Sequence, residues 1–346
     1  MAHVTEIART NSEAETKEAV ARAVALLEAG GIVAVPTETV YGLAADAMNP
    51  EAVARIFEAK DRPLFDPLIV HLPRKYLLHE VADVPEDIAK VVAQLTETFW
   101  PGPLTLLLPK KPCIPDIVTA GLPTVAVRVG AHPVFGRIAK AFGRPIAAPS
   151  ANLFGRISPT SAAAVFQELE GRVPLIIDGG ACSRGLESTI IRIEPGEKKP
   201  IFHVVRAGPL SDDELKNFGK VRYQKHNDSV ENQSPEAPGL LASHYAPRTP
   251  LRLIEEPGTF RPEPGKRYGL LSYRGSPEDG FIGRNDWAEV RILSPGSGKM
   301  PEAGVRFFFI LRELDALGLD EIIAEPVPER AMGRAIMDRL RRASVG

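Results

Sequence analysis

Lys60 and Arg62 are two cations one residue apart, after a helical stretch and before the apolar run Pro67-Leu68-Ile69-Val70-His71. Upstream, the short apolar run 32–35 ends at Pro36 and opens into Thr37-Glu38-Thr39-Val40-Tyr41-Gly42. Polar side chains and a glycine where a chain leaves a sheet favour ligand contacts. If both strand ends face one cleft, hydroxyls from the first meet ammonium and guanidinium groups from the second. Such a cleft suits an anionic ligand such as a nucleotide phosphate. Each segment alone is commonplace, because short motifs match by chance and a Lys-x-Arg pair is usually solvated. Their order and pairing carry the reading. Arg128 adds to it, since Val125-Ala126-Val127-Arg128 puts a charge in an apolar strand, where it needs a partner.

Other chemistries are disfavoured. Ser294-Pro-Gly-Ser-Gly-Lys-Met300 resembles a phosphate loop only superficially. Leu293 replaces its first glycine, and Met300 stands where a magnesium-binding hydroxyl belongs. The seven histidines and two cysteines show no metal-ligand spacing, so no protein-held metal is expected. No G-x-S-x-G is present, and neither Cys113 nor Cys182 has a neighbouring histidine. An enzyme built this way works by positioning and electrostatics rather than through a covalent intermediate.

The elements that position these groups are legible. Ser12 and Glu15 form a capping box for a helix closed by Gly30. Asn49-Pro50 opens a second helix through Ala59. Strands are predicted at 32–35, 67–72, 104–108, 124–129, 145–148, 174–178, 188–193 and 201–205, with helices at 86–99, 132–142 and 159–170. The absence of a strict βαβ rhythm predicts an α/β domain with a twisted, mixed sheet over 1–210. From about Ser211 the pattern breaks, and 224–239 is polar and aperiodic, so 211–250 is predicted as a linker. Strands at 251–254, 268–273, 290–293 and 321–324, with helices near 301–317 and 329–343, predict a smaller, parallel, Rossmann-like domain over 251–346. It has no G-x-G-x-x-G, so its shape alone implies no dinucleotide.

At 346 residues, 44% of them apolar and 25% charged, the chain reads as a soluble two-domain protein. No apolar run reaches membrane-span length, and two cysteines provide no disulfide framework, so a cytoplasmic location is expected. A net charge of −2 argues against broad electrostatic coating of nucleic acid.

Four ordered blocks now acquire a common meaning: Pro36-Thr-Glu-Thr-Val-Tyr-Gly-Leu, Lys60-Asp-Arg-Pro with Pro67-Leu-Ile-Val-His, Pro149-Ser-Ala-Asn with Ser158-Pro-Thr, and Glu187-Ser-Thr-Ile. Together they resemble the YrdC-like family. A His244-Tyr-Ala-Pro block after the polar linker resembles its long, two-domain form, and the terminal Gly333-x-x-Ile-Met-x-Arg-Leu stretch agrees. The resemblance implies a nucleotidyltransferase that makes L-threonylcarbamoyladenylate from L-threonine, bicarbonate or CO2, and ATP with Mg2+, releasing pyrophosphate. It also implies a downstream transferase that places the group on tRNA.

Residue by residue, the resemblance assigns L-threonine to Thr39, His71, Arg128 and Ser188. It gives Lys60 and Arg62 the phosphates and the catalytic role, and adds Asp66, Thr124, Ser150, Asn152, Ser158, Arg206 and Tyr245 to the ATP site. Tyr245 would sit on a linker folded over the site. Asp66 departs from the family pattern, in which Asn is common, and a carboxylate near phosphates is unfavourable unless it faces magnesium or ribose. Two other readings compete. The same fold can present a basic face to double-stranded RNA or tRNA as a binding module with weak, salt-dependent affinity. A carbamoyl-phosphate-dependent enzyme is the last, although its zinc fingers and acylphosphatase unit are not visible here.

Overall fold

The computed structural model of the chain describes residues 4–223, 235–284, 286–296 and 298–345. The first helix, Glu13–Glu28, begins where Ser12 and Glu15 exchange the two bonds of a capping box. The second, Pro50–Lys60, begins at Asn49, whose side chain accepts from the Glu51 and Ala52 amides at 3.0 and 3.2 Å. Asp61 then turns left-handed, with φ 51°, and stops the helix directly after Lys60.

The strands of the larger sheet are β1 (Glu6–Arg9), β2 (Val33–Val35), β3 (Gly42–Asp46), β4 (Ile69–His71), β5 (Leu104–Pro109), β6 (Thr124–Arg128), β7 (Ile146–Ala147), β8 (Leu175–Asp178), β9 (Thr189–Glu194), β10 (Ile201–Arg206) and β11 (Lys220–Tyr223). They are ordered β1-β8-β2-β3-β7-β4-β6-β5-β9-β10-β11. Parallel pairs such as β4–β6 alternate with antiparallel ones such as β5–β6, giving the expected mixed sheet. Both faces are covered. Val33 and Val35 pack with the Glu13–Glu28 and Pro133–Phe142 helices, while Ala34 points into the opposite core. A strand buried on both faces reads as a continuous apolar run, which is why these strands are visible in the sequence.

The pattern does not break at residue 211. Ser211 caps the short helix Asp212–Lys216, and β11 adds to the sheet parallel to β10, with Ile201 opposite Lys220. The linker expected from 211 therefore opens after Tyr223. Its stretch 224–234 lies outside the described residues.

The second domain holds β12 (Leu251–Leu253), β13 (Tyr268–Ser272), β14 (Trp287–Ile292) and β15 (Glu321–Ala324), all parallel, in the order β12-β15-β13-β14. Its helices Met300–Asp315 and Gly333–Ala343 pack against the first domain. One core cluster joins Val40, Ile157 and Leu186 to Phe307, Phe308, Met332 and Leu340. The contact is close at Gly185, where a Cβ would lie 2.4 Å from the Val305 Cα. The two domains share apolar core, so the second is more than a tethered appendage. Among the described residues, no helix is long and apolar enough to cross a membrane.

Candidate active site

Parallel pairing of β4 with β6 places His71 directly opposite Arg128, so two expected residues meet at adjacent strand ends. Residues 37–42 leave β2 beside them, and 148–150 leave β7. Together with Ser188, Arg206 and the segment 238–245 they enclose one cleft. Thr39, Arg62, His71, Arg128, Ser150, Ser188, Arg206 and Tyr245, all expected site residues, line it. Lys60, Asp66, Thr124, Asn152 and Ser158 do not.

At one end Arg128 is 2% exposed and carries its charge against Glu38. It also donates to Thr39 Oγ1 at 3.2 Å, while Thr39 bonds Thr37 Oγ1 at 2.9 Å. Arg128 Nε and Glu38 Oε2 are buried with no hydrogen-bond partner among the described residues. His71 packs edge-on against Phe135, with ring centroids 5.1 Å apart. Burial first, and then the Arg128 charge, push its imidazole well below the usual histidine range, so it is neutral at pH 7.

At the other end Arg62 faces the cleft and forms an ion pair with the fully buried Asp66 at 2.8 Å. It also donates to the Asp66 and Pro67 carbonyls at 3.2 and 2.8 Å. Burial raises the Asp66 carboxyl, and Arg62 and Lys60 oppose that rise. Lys60 turns elsewhere: its ammonium donates to the Ser150 carbonyl at 2.6 Å and to that of Asn152. Burial holds the ammonium pKa well below the usual lysine value. Lys60 thereby ties down the 150–152 loop. Thr124 starts β6, at the opposite end of that strand from Arg128.

Asn152 spends its amide on the Leu153 and Arg156 carbonyls, at 2.7 and 2.9 Å. Ser158 donates to Glu187 Oε1 at 2.6 Å. Arg206 donates to Ser188 Oγ at 3.1 Å, to the Ser188 carbonyl, and to the Pro238 carbonyl at 3.1 Å, so it fastens the linker to the cleft wall.

Tyr245 is 1% exposed, and its hydroxyl is buried without a partner among the described residues. Burial pushes that hydroxyl up to about 12. Its backbone is left-handed, with φ 64°, a conformation that costs about 1–3 kcal/mol for a bulky residue. Gly239, at φ 80°, is required beside it, because a Cβ there would lie 2.5 Å from the Tyr245 hydroxyl.

Several contributors escape the sequence reading. Glu38 sits inside the Pro-Thr-Glu-Thr block and Glu187 beside Ser188, yet their partners are far along the chain. His244, adjacent to Tyr245 with ring centroids 4.1 Å apart, also lines the cleft. Arg339, the arginine of the terminal stretch, is fully buried against Glu187. Among the described residues no group of three or more His, Cys, Asp and Glu side chains is gathered to hold a metal ion.

A mixed α/β sheet with a cation-rich cleft at its strand ends, roofed by a linker to a parallel α/β domain, defines a two-domain YrdC-like protein. A family model described as "Telomere recombination", covering Sua5, YciO and YrdC, matches residues 25–208. A second, "Threonylcarbamoyl-AMP synthase, C-terminal domain", matches residues 210–345. Threonylcarbamoyl-AMP synthase of Pyrococcus abyssi is 39% identical over 93% of this chain and 93% of its own length. That of Bacillus subtilis is 38% identical over 94% and 93%. The structure of Pyrococcus abyssi Sua5 complexed with L-threonine superposes with a TM-score of 0.83 at 36% identity, over 99% of this chain and 98% of the other. A variant of the same protein, with a histidine and the tyrosine after it changed to alanine, gives 0.85 at 37%, over 99% and 96%. The chain belongs to the threonylcarbamoyl-AMP synthase family, in its two-domain form. It is an enzyme, a synthase.

Proposed function

We propose that this chain is an L-threonylcarbamoyladenylate synthase, a nucleotidyltransferase that joins L-threonine, bicarbonate or CO2, and ATP and releases pyrophosphate. The product would feed threonylcarbamoyladenosine formation on tRNA through a downstream transferase. One observation carries the reading: a single cleft is lined by Arg128 and Thr39 together with two further arginines, Arg62 and Arg206. The L-threonine complex of Pyrococcus abyssi Sua5 supports the amino-acid end.

Threonine's carboxylate would take the Arg128 fork, with Thr39, neutral His71 and Ser188 around the amino acid. Its amine forms the N–C bond to the carbonate carbon, losing protons, and water when bicarbonate is the donor. A carbamate oxygen then attacks the α-phosphorus, and the bond to the β-phosphate oxygen breaks with its electron pair leaving on pyrophosphate. Charge therefore grows at the phosphate end, where Arg62 and Arg206 stand. Holding both reactants in line contributes on the order of 7–11 kcal/mol in well-oriented systems. Lys60 acts by fixing the Ser150–Asn152 loop, and Ser158 by fixing Glu187. ATP would enter as its magnesium complex, the ion held chiefly by phosphates and water. Tyr245 would close over the nucleotide and keep water from a hydrolysable mixed anhydride.

The RNA-module reading draws no support from these cations, because Lys60, Arg62, Arg128 and Arg206 are 1, 7, 2 and 5% exposed. Pyrophosphate release from ATP with each amino acid in turn, with and without bicarbonate, tests the proposal. Release that needs both L-threonine and bicarbonate is expected. Equal turnover without threonine, or release of ADP and phosphate, refutes it.

A further inference from the structure

The helix Gly333–Ala343 belongs to the second domain, yet Arg339 on it is fully buried against the wall of the cleft. Its Nε and Nη2 donate to Glu187 Oε2, both at 3.2 Å, and Nη1 donates to the Ala207 carbonyl at 2.6 Å. Asp338 shares its charge at 3.1 Å. The guanidinium carbon also lies 5.4 Å from the centre of the Tyr245 ring, within cation–π range. The other oxygen of Glu187 accepts from Ser158, so both its oxygens are engaged. Arg339 thereby touches three separate parts of the site: the 187–189 turn, the 206–208 turn and the linker.

We infer that Arg339 is a positioning residue for the nucleotide end of the site, holding Glu187 and the Tyr245 ring in register. This rests on the function proposed above and deepens it. The unpartnered Tyr245 hydroxyl and the strained Tyr245 backbone supply the reason such a hold is needed. A strained residue persists only where its surroundings fix it. Arg339 contacts neither Arg128 nor Thr39, and of the parts it holds Tyr245 is the one proposed to close over the nucleotide, so its larger effect is expected on ATP. The planar fork also explains why arginine stands here: lysine keeps the charge but cannot hold Glu187 through two nitrogens.

The test uses the full chain and a non-hydrolysable α,β-methylene ATP, with L-threonine titrated separately by calorimetry. Arg339→Lys is expected to weaken the ATP analogue about tenfold or more while threonine affinity stays within about twofold. In a Tyr245→Ala background the same change should have a much smaller effect, because one route of action is already gone. Thermal melting checks that each variant folds. Should Arg339→Lys not fold, Glu187→Gln loosens the same fork from the other side, and the same ATP-selective loss is expected. Unchanged analogue affinity, or equal loss of both ligands, overturns the inference. Failure of the wild-type chain to bind the analogue at all would instead refute the proposed function.

Discussion

Arg128 and Glu38, 90 residues apart in the chain, form a buried ion pair at the end of the cleft where threonine's carboxylate is proposed to bind. Glu38 already occupies part of the fork, so an incoming carboxylate must share or displace it. Arg128→Lys keeps the charge and loses the fork, which should cost threonine binding roughly 1.5–3 kcal/mol and leave ATP binding unchanged. Glu38→Gln removes one partner of a buried pair and should lower stability by about 3–5 kcal/mol. Threonine should raise the melting temperature of that variant more than that of the wild type. Calorimetric titration of each ligand and thermal melting check both. Unchanged threonine affinity in Arg128→Lys would make the arginine purely structural.

Asp66 explains its own departure from the expected Asn. It neutralises Arg62 within the fold, at 2.8 Å, and so would compete for that cation with the phosphates proposed to bind there. Asp66→Asn should lower the melting temperature without ATP and reduce the KM for ATP several-fold. An increased KM for ATP would show that the carboxylate helps the nucleotide rather than opposing it.

His71 and His244 are both buried, and burial is the main cause holding each well below the usual histidine pKa. Their folded values lie under the unfolded value, so the unfolded chain binds more protons once pH drops. Their contribution to stability is intact above roughly pH 6.5 and is lost as pH falls towards the folded values, by up to about 1.4 kcal/mol per pH unit for each. Denaturant unfolding between neutral and mildly acidic pH should show this slope. His71→Asn should flatten it; an unaltered slope would mean the imidazole is already protonated in the fold.

Signals carried within a few residues were legible. The Ser12–Glu15 capping box, the Asn49-Pro50 start and the helix Glu86–Phe99 all appear where local spacing puts them. The strand β11 was not, because Lys-Val-Arg-Tyr at a sheet edge has no apolar run, and only pairing with β10 makes it a strand. Of the site, Arg128 was legible because it puts a charge in an apolar strand, whereas Thr39, His71 and Ser188 were named through the blocks that resemble the YrdC-like family. Glu187 and Arg339 stand 152 residues apart, in different domains, and nothing near either one announces the other. The turning of Lys60 towards the 150–152 loop was equally hidden, since it depends on where Asp61 ends the helix and where that loop passes.

The central claim is that one cleft assembles threonine, a one-carbon unit and the AMP part of ATP into a single molecule. Incubating the chain with carbon-14 bicarbonate, adenine-tritiated ATP and L-threonine tests it directly, with products separated at once by chromatography. Both labels should co-elute in one species that forms only when L-threonine is present, alongside pyrophosphate. Carbon-14 that never travels with adenine, or adenine recovered as ADP, would contradict the account.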